Sequence, residues 1–270
     1  MATTTTEDVR VLFNRKAGAW HAKYLPNGKL TSRLNRFMER LGEVSPPPGR
    51  VLDLGCGTGD LAAALSRQGY QVTACDIAEK MIEMARAVHM GAAVEWASLK
   101  PDWKALPFGE GSFRSVAASS VFEYLVDVEP VVAEISRVLQ PGGVLLLTVP
   151  NPCNLLRKVE GRLRPKVSKR GLTRLMRRVL RIDSYARYLQ LSRNRFTGER
   201  WQSVLSSAYL APIDPRDFSS EAWQAQARFP LLLLAVRKAG ARVLGRSAGF
   251  QPALCRQDGG TTIKKTTTHQ

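Results

Sequence analysis

The chain of 270 residues has few of the residues that staple small folds together. Its four cysteines, Cys56, Cys75, Cys153 and Cys255, form no CxxC pair and no Cys/His spacing. That excludes a disulfide frame or a zinc knuckle and fits reduced thiols in a cytosol. The chain also lacks long apolar runs: "VLLLTVP" and "PLLLLAV" fall far short of the roughly 20 residues that span a bilayer. The segment "MATTTTEDVR" has no apolar stretch of the secretory kind. A cytoplasmic location is therefore expected, with peripheral contact to the inner membrane face left open. Acid is scarce, with 23 Asp/Glu against 40 Lys/Arg and a net charge of +17. Such a balance suggests an anionic partner. There is no internal repeat. Hydrophobic residues make up 44%, enough for one α/β domain with an elaboration.

Two helices are expected first, over 7–24 and over 30–42, the second ended by Gly42. "SPPPG" at 45–49 is a stiff break. A regular alternation follows. "RVLDLG", "QVTACD", "AVEWAS", "FRSVAASSV" and "VLLLTVP" are strands, with helices at 58–68, "AEKMIEMARAVHM" and 129–140 between them. "GERWQSVLSSAYL" (198–210) is a further helix and "PLLLLAVRK" (230–238) a last buried strand. Continuous apolar strands alternating with helices predict a parallel sheet covered on both faces. The expected organisation is 1–44 as an N-terminal helical unit, 45–240 as the main domain, 152–196 as an insertion within it, and 241–270 as a flexible Gly- and Thr-rich tail.

The stretch "VLDLGCGTGD" (51–60) carries Asp53, Gly55, Cys56, Gly57 and Gly59 directly after a strand and at the opening of a helix. Gly55 permits a tight turn, and Gly57 lets the backbone approach a ligand with no Cβ in the way. The spacing lacks the third glycine position of a dinucleotide fingerprint and the GK[ST] ending of a P-loop. Asp76 ends the next strand, where a carboxylate accepts both ribose hydroxyls. The bland alternative is a βα turn whose glycines serve packing.

"VLDLGCGTGDLA", "VTACDIAEKMIEMAR", "LPFGEGSF" and "ISRVLQPGGVLLLTVPNP" resemble the successive motifs of class I S-adenosylmethionine-dependent methyltransferases, in their small-molecule and quinone-biosynthesis branch. The resemblance runs from about Phe13 to Lys238 and is strongest over 51–151. It implies a Rossmann-like, doubly wound, mostly parallel seven-stranded sheet, with a helical lid at the N-terminus and a helical basic insertion after strand five. It implies S-adenosylmethionine as cofactor and a small or lipid-linked acceptor, methylated at oxygen. The alternatives are an RNA methyltransferase and a cofactor-binding protein without catalysis. Under this resemblance Asp53 reaches the methionine amino group, Gly55 and Gly57 lie beneath the cofactor, and Asp76 holds the ribose. Ile77 and Met81 flank the adenine, Asp102 accepts from its N6, and Trp103 lies beside the ring.

Methyl transfer requires in-line placement of a nucleophile in a site that excludes water, and an oxygen nucleophile profits from a base. Candidates lie at the carboxyl ends of strands four and five: Ser119, Ser120, Glu123, Tyr124 and Asn151. Many O-methyltransferases resembling this chain carry Glu-x-x-Glu-His there, which can bind a metal. This chain has Ser120-Val121-Phe122-Glu123-Tyr124, so metal-assisted deprotonation is not expected. His21, on the expected lid, is a further candidate base, although an exposed polar face is the simpler reading. His89, on a helix over the sheet, and His269, in the tail, are not candidates. Trp20 and Tyr24, one helical turn apart, wall the pocket or pack on the core.

Between Asn151 and Arg200 fifteen Lys/Arg face only Glu160, Asp183 and Glu199. Within this segment "GLTRLMRRVLRI" (171–182) sets Leu172, Leu175, Met176, Val179 and Ile182 at helical spacing. Arg174, Arg177, Arg178 and Arg181 take other faces, preceded by Lys169 and Arg170. Three readings stand: a cap over the pocket, an interfacial helix on an anionic membrane through 169–182, or an RNA patch aided by Tyr185, Tyr188 and Phe196. RNA has the least support, because no recognisable module accompanies the charge.

Overall fold

The computed structural model describes residues 5–168 and 188–240. Helix α1 (Thr6–Lys16) opens with a capping box: Thr5 accepts from the Asp8 backbone, and Asp8 accepts from that of Thr5, so two orphan amides of the first turn are satisfied. The expected helix over 7–24 stops at Lys16. Beyond it run two short 3-10 turns, Ala17–Ala19 and His21–Lys23. Helix α2 (Thr31–Val44) continues through Gly42 to Val44. A Cβ at Gly42 would meet nothing within 4 Å, and Phe37 and Leu41 anchor the helix in the core at 1% exposure each.

Seven strands form one sheet in the order β3-β2-β1-β4-β5-β7-β6. They are β1 (Arg50–Leu54), β2 (Gln71–Asp76), β3 (Val94–Ser98), β4 (Phe113–Ala118), β5 (Leu139–Pro150), β6 (Leu210–Pro212) and β7 (Leu231–Lys238). The first five pair in parallel, and β7 is antiparallel to both β5 and β6. This is a doubly wound, mostly parallel sheet of the expected class. The short β6 lies where the sequence reading extended a helix to 210. Helix α7 (Gly198–Ser206) ends before it.

Strand alternation sorts the core into two layers. Val51, Val72 and Leu146 face α2 and α3 (Asp60–Arg67) together with Phe37, Leu41 and Leu65. Leu52, Val116 and Leu145 face the other side. There α5 (Val128–Val138) packs Val132 and Ile135, and α7 (Gly198–Ser206) packs Trp201 and Val204. The remaining helices are α4 (Glu79–Val88), α6 (Leu155–Ser168) and α8 (Ser220–Ala225). Because Phe37 and Leu41 are core residues, the expected 1–44 unit divides. Helix α2 packs on the sheet, while the segment before it and Arg33 of its first turn reach the cavity described below. The expected helix at 171–182 and the tail at 241–270 lie outside the described residues. Among the described residues no helix is long and apolar enough to cross a membrane.

Candidate functional site

The chain passes from β1 outward to β2 and β3, then returns to β4 on the other side of β1. Such a reversal opens a crevice at the carboxyl ends of the strands. Here it is a cavity of about 650 Å³. Asp53, Gly55, Cys56 and Gly57 form its floor, with Asp76 and Ile77 from the end of β2. Asp102, Trp103, Ser119, Glu123 and Tyr124 also line it.

The loop geometry explains the glycines. Gly55, Gly57 and Gly59 have φ of 71°, 56° and 76°, a region that costs side-chain-bearing residues roughly 1–2 kcal/mol. A Cβ on Gly55 would stand 2.4 Å from Val121 Cγ2, and one on Gly57 would stand 3.3 Å from Trp20 Nε1. The Gly55 and Cys56 amides donate to the Cys75 carbonyl at 2.7 and 3.0 Å. Gly57 N donates to Asp76 Oδ2 at 2.9 Å and Ala78 N to Asp76 Oδ1 at 2.8 Å. The carboxylate that ends β2 thus braces the loop after β1.

Asp53 differs. It is 1% exposed, and its Oδ2 has no hydrogen-bond partner. Burial, with Asp76 and Asp60 nearby, pushes its carboxyl up to about 7. Burial also raises Asp76, opposed by the amides of Ala78, Gly57 and Ile77. A buried carboxylate with an orphan oxygen on a cavity wall fits a cationic ligand group. Desolvation, with Asp53 and Asp76 close by, raises the half-buried Cys56 thiol well above its ordinary value and makes it a poor nucleophile.

Other expected site residues stand elsewhere. Met81 is fully buried with Ala17 and Ala78 and stands behind the cavity wall rather than on it. Gly59 faces Trp96, whose ring would be 2.4 Å from an added Cβ. His21 does not line the cavity; its Nδ1 lies 2.6 Å from Asp60 Oδ1. Asn151 is buried, and its amide donates to the Trp223 and Gln226 carbonyls.

Glu123 lines the cavity, but its carboxylate is a strut. Its Oε2 accepts from Ser192 Oγ at 3.2 Å and from Arg157 Nη2 and Tyr188 Oη at 3.4 Å. Arg157 also pairs with Glu160 at 3.0 Å, and Arg195 reaches the same Glu160 oxygen at 3.0 Å. The insertion is thereby tied to the turn Phe122–Tyr124 from both of its described flanks. A carboxylate so engaged is held in place by its partners rather than left free to turn toward a substrate. Tyr124 packs between Phe13 and Tyr188. Burial, with Glu123 and Tyr188 close by, raises its phenol well above the ordinary value, which leaves it a donor and not a base.

Several cavity cations carry no signal in the sequence, Lys16, Lys23 and Arg33 among them. Lys23 Nζ lies 3.2 Å over the Trp20 ring. Burial, with Lys16, Arg33 and Lys29 adding repulsion, brings Lys23 down to about 8. Arg33 donates to Ser120 Oγ at 2.7 Å. Ser120 itself takes φ of 60°, with its amide donating to Thr148 Oγ1 at 2.8 Å. Trp20 and Tyr24, expected as wall or core, line the cavity.

Residues 52–147 match the family described as "Methyltransferase domain". A ubiquinone/menaquinone biosynthesis C-methyltransferase of Desulfotalea psychrophila is 37% identical over 115 residues, 41% of this chain and 46% of that protein. A ubiquinone biosynthesis O-methyltransferase of Xanthomonas campestris is 34% identical over 109 residues, 40% of this chain and 46% of that one. The chain spans about half the length of the curated relatives it matches. The solved structure of magnesium protoporphyrin IX methyltransferase from Synechocystis, with bound SAH, aligns with a TM-score of 0.61 at 15% identity. It covers 86% of this chain and 98% of its own, and shows a shared fold.

Proposed function

We propose that the chain, whose residues 52–147 match the family described as "Methyltransferase domain", is a class I S-adenosylmethionine-dependent methyltransferase that transfers a methyl group from S-adenosylmethionine to an oxygen of a small or lipid-linked acceptor. The observation that carries this is the cradle at the end of β1 and β2: the orphan oxygen of Asp53, the braced carboxylate of Asp76, and glycines where any Cβ would intrude. Asp53 would face the cofactor's ammonium and Asp76 its ribose hydroxyls. Ile77, Trp103 and Asp102 would receive the adenine, with Ser119 at the end of β4 beside it. Bound there, S-adenosylmethionine supplies an activated methyl sulfonium that an acceptor oxygen attacks in line, releasing S-adenosylhomocysteine and a proton. The chain's own part is to place that oxygen and exclude water. The segment before α2, which brings Phe13, Lys16, Trp20 and Tyr24 to the wall, serves as the lid.

The mouth favours an amphiphilic acceptor. Leu155, Leu156 and Val159 of α6 are exposed at 74%, 51% and 41%, and Leu156 lines the cavity. Lys16, Lys23 and Arg33 offer positive charge to an acidic headgroup or ring substituent. The relatives named for quinone pathways are consistent with such an acceptor. The basic stretch 169–182 follows α6 in the chain, and we place the anionic membrane surface there.

Incubation with methyl-labelled S-adenosylmethionine and fractionated cell extract tests this reading. Label is expected in an organic-extractable acceptor, with stoichiometric S-adenosylhomocysteine. Label in RNA, falling steeply with added salt, would replace this acceptor class with nucleic acid. No S-adenosylhomocysteine from any fraction would overturn catalysis and leave a binding protein.

A further inference from the structure

Behind the cavity wall three ligand-type side chains converge. His21 comes from the turn His21–Lys23, Asp60 is the first residue of α3, and His89 caps the end of α4. Each offers one ligand atom, and the three atoms lie within 4.8 Å of one another. Asp60 Oδ1 is 2.6 Å from His21 Nδ1 and 3.6 Å from His89 Nε2. Asp60 Oδ2 accepts from the Thr58 hydroxyl at 2.6 Å. His89 Nε2 is buried and has no hydrogen-bond partner; its distance to Asp60 is too long for one. The His89 ring stacks on Trp96 and takes the edge of His21, so its nitrogen stays aimed at the carboxylate.

The hydrogen bond between His21 and Asp60 leaves the His89 imidazole nitrogen, near the same carboxylate, buried and without a hydrogen bond. We propose that His21, Asp60 and His89 form a binding site for a divalent transition-metal cation of the Zn²⁺ type. Two imidazole nitrogens and one carboxylate oxygen suit such an ion, with water in a fourth position. Metal–ligand bonds of about 2.0–2.1 Å in a tetrahedral site set ligand atoms roughly 3.3 Å apart. The two separations from Asp60 Oδ1 bracket that value, so side-chain rotations bring all three atoms onto one ion. The Thr58 hydroxyl orients the carboxylate from outside.

None of the three side chains lines the cavity, so the ion would not touch the reacting atoms. It would clip the turn bearing His21 to α3 and α4. That turn carries Trp20 against Gly57 and Lys23 and Tyr24 to the wall. The site stands on its own whether or not the methyl-transfer reading holds.

The test uses the untagged full chain, freed of metal by chelator and titrated with Zn²⁺, then with Co²⁺ as a spectroscopic substitute. One ion per chain is expected, with a rise in melting temperature and a tetrahedral Co²⁺ spectrum lacking thiolate charge transfer. His21→Gln and His89→Gln should each weaken binding by more than about tenfold, with melting of the metal-free proteins little changed. Should His89→Gln melt early, His21→Gln on its partly exposed turn decides. Absence of saturable binding, a thiolate band, or unchanged affinity in His21→Gln would overturn the proposal.

Discussion

Gly55→Ala is expected to destabilise the protein by about 2–5 kcal/mol, enough to leave a large fraction unfolded. Two costs combine. A backbone at φ of 71° penalises a Cβ by roughly 1–2 kcal/mol. The new carbon would also stand 2.4 Å from Val121 Cγ2, and overpacking of that kind costs about 1–3 kcal/mol. Val121 cannot yield cheaply, since a β-branched side chain is stiff at χ1. Two controls separate the terms. Gly142→Ala meets nothing within 4 Å but has φ of 77°, so it should lose the backbone term alone. Gly18→Ala meets nothing and carries no positive φ, and it should be neutral or slightly stabilising. Urea melts of the three variants check the order. Equal losses at Gly55 and Gly142 would show that Val121 does not confine the loop.

Cofactor affinity is expected to fall roughly tenfold for each pH unit below about 7 and to level off above it. The cause is Asp53, whose carboxyl burial raises to about 7: the ammonium of S-adenosylmethionine pairs with the ionised form, and below that pH the form must be created. For the empty protein the sign reverses. A carboxyl raised from 3.8 to about 7 binds its proton more tightly folded than unfolded. Its stabilising contribution is full below about pH 4 and is lost as pH rises through 7. The total is on the order of 4 kcal/mol at most. In Asp53→Asn both trends should flatten. Calorimetric titration and denaturant melts across pH 5–8, wild type against variant, read the two slopes. A binding profile with the same pH dependence in Asp53→Asn would move the effect to another group.

The sheet and its ligand edge were legible because each signal was local. Apolar strands, glycines that only a positive φ explains, and Asp76 at a strand end all sit within one βαβ unit. Boundaries were less so. Gly42 looks like a helix stop, but Leu41 and Phe37 hold α2 in the core and the chain runs on to Val44. Roles that depend on distant partners were not legible at all. Glu123 lies at the expected edge of β4, yet Ser192 and Arg157 engage it from two ends of the insertion. Helical periodicity turns Met81 inward, but only the fold distinguishes the cavity wall from the layer beneath it. His21, Asp60 and His89 share no motif spacing and meet only once the turn His21–Lys23, α3 and α4 are assembled.

The central claim is that the cradle after β1 and β2 holds S-adenosylmethionine, and equilibrium binding to wild type and Asp76→Ala measures it most directly. Saturable binding of one cofactor per chain is predicted, weakened in Asp76→Ala by about 1–3 kcal/mol for loss of a charged hydrogen-bonding partner. Absence of saturable binding, or equal affinity in the folded variant, would contradict it.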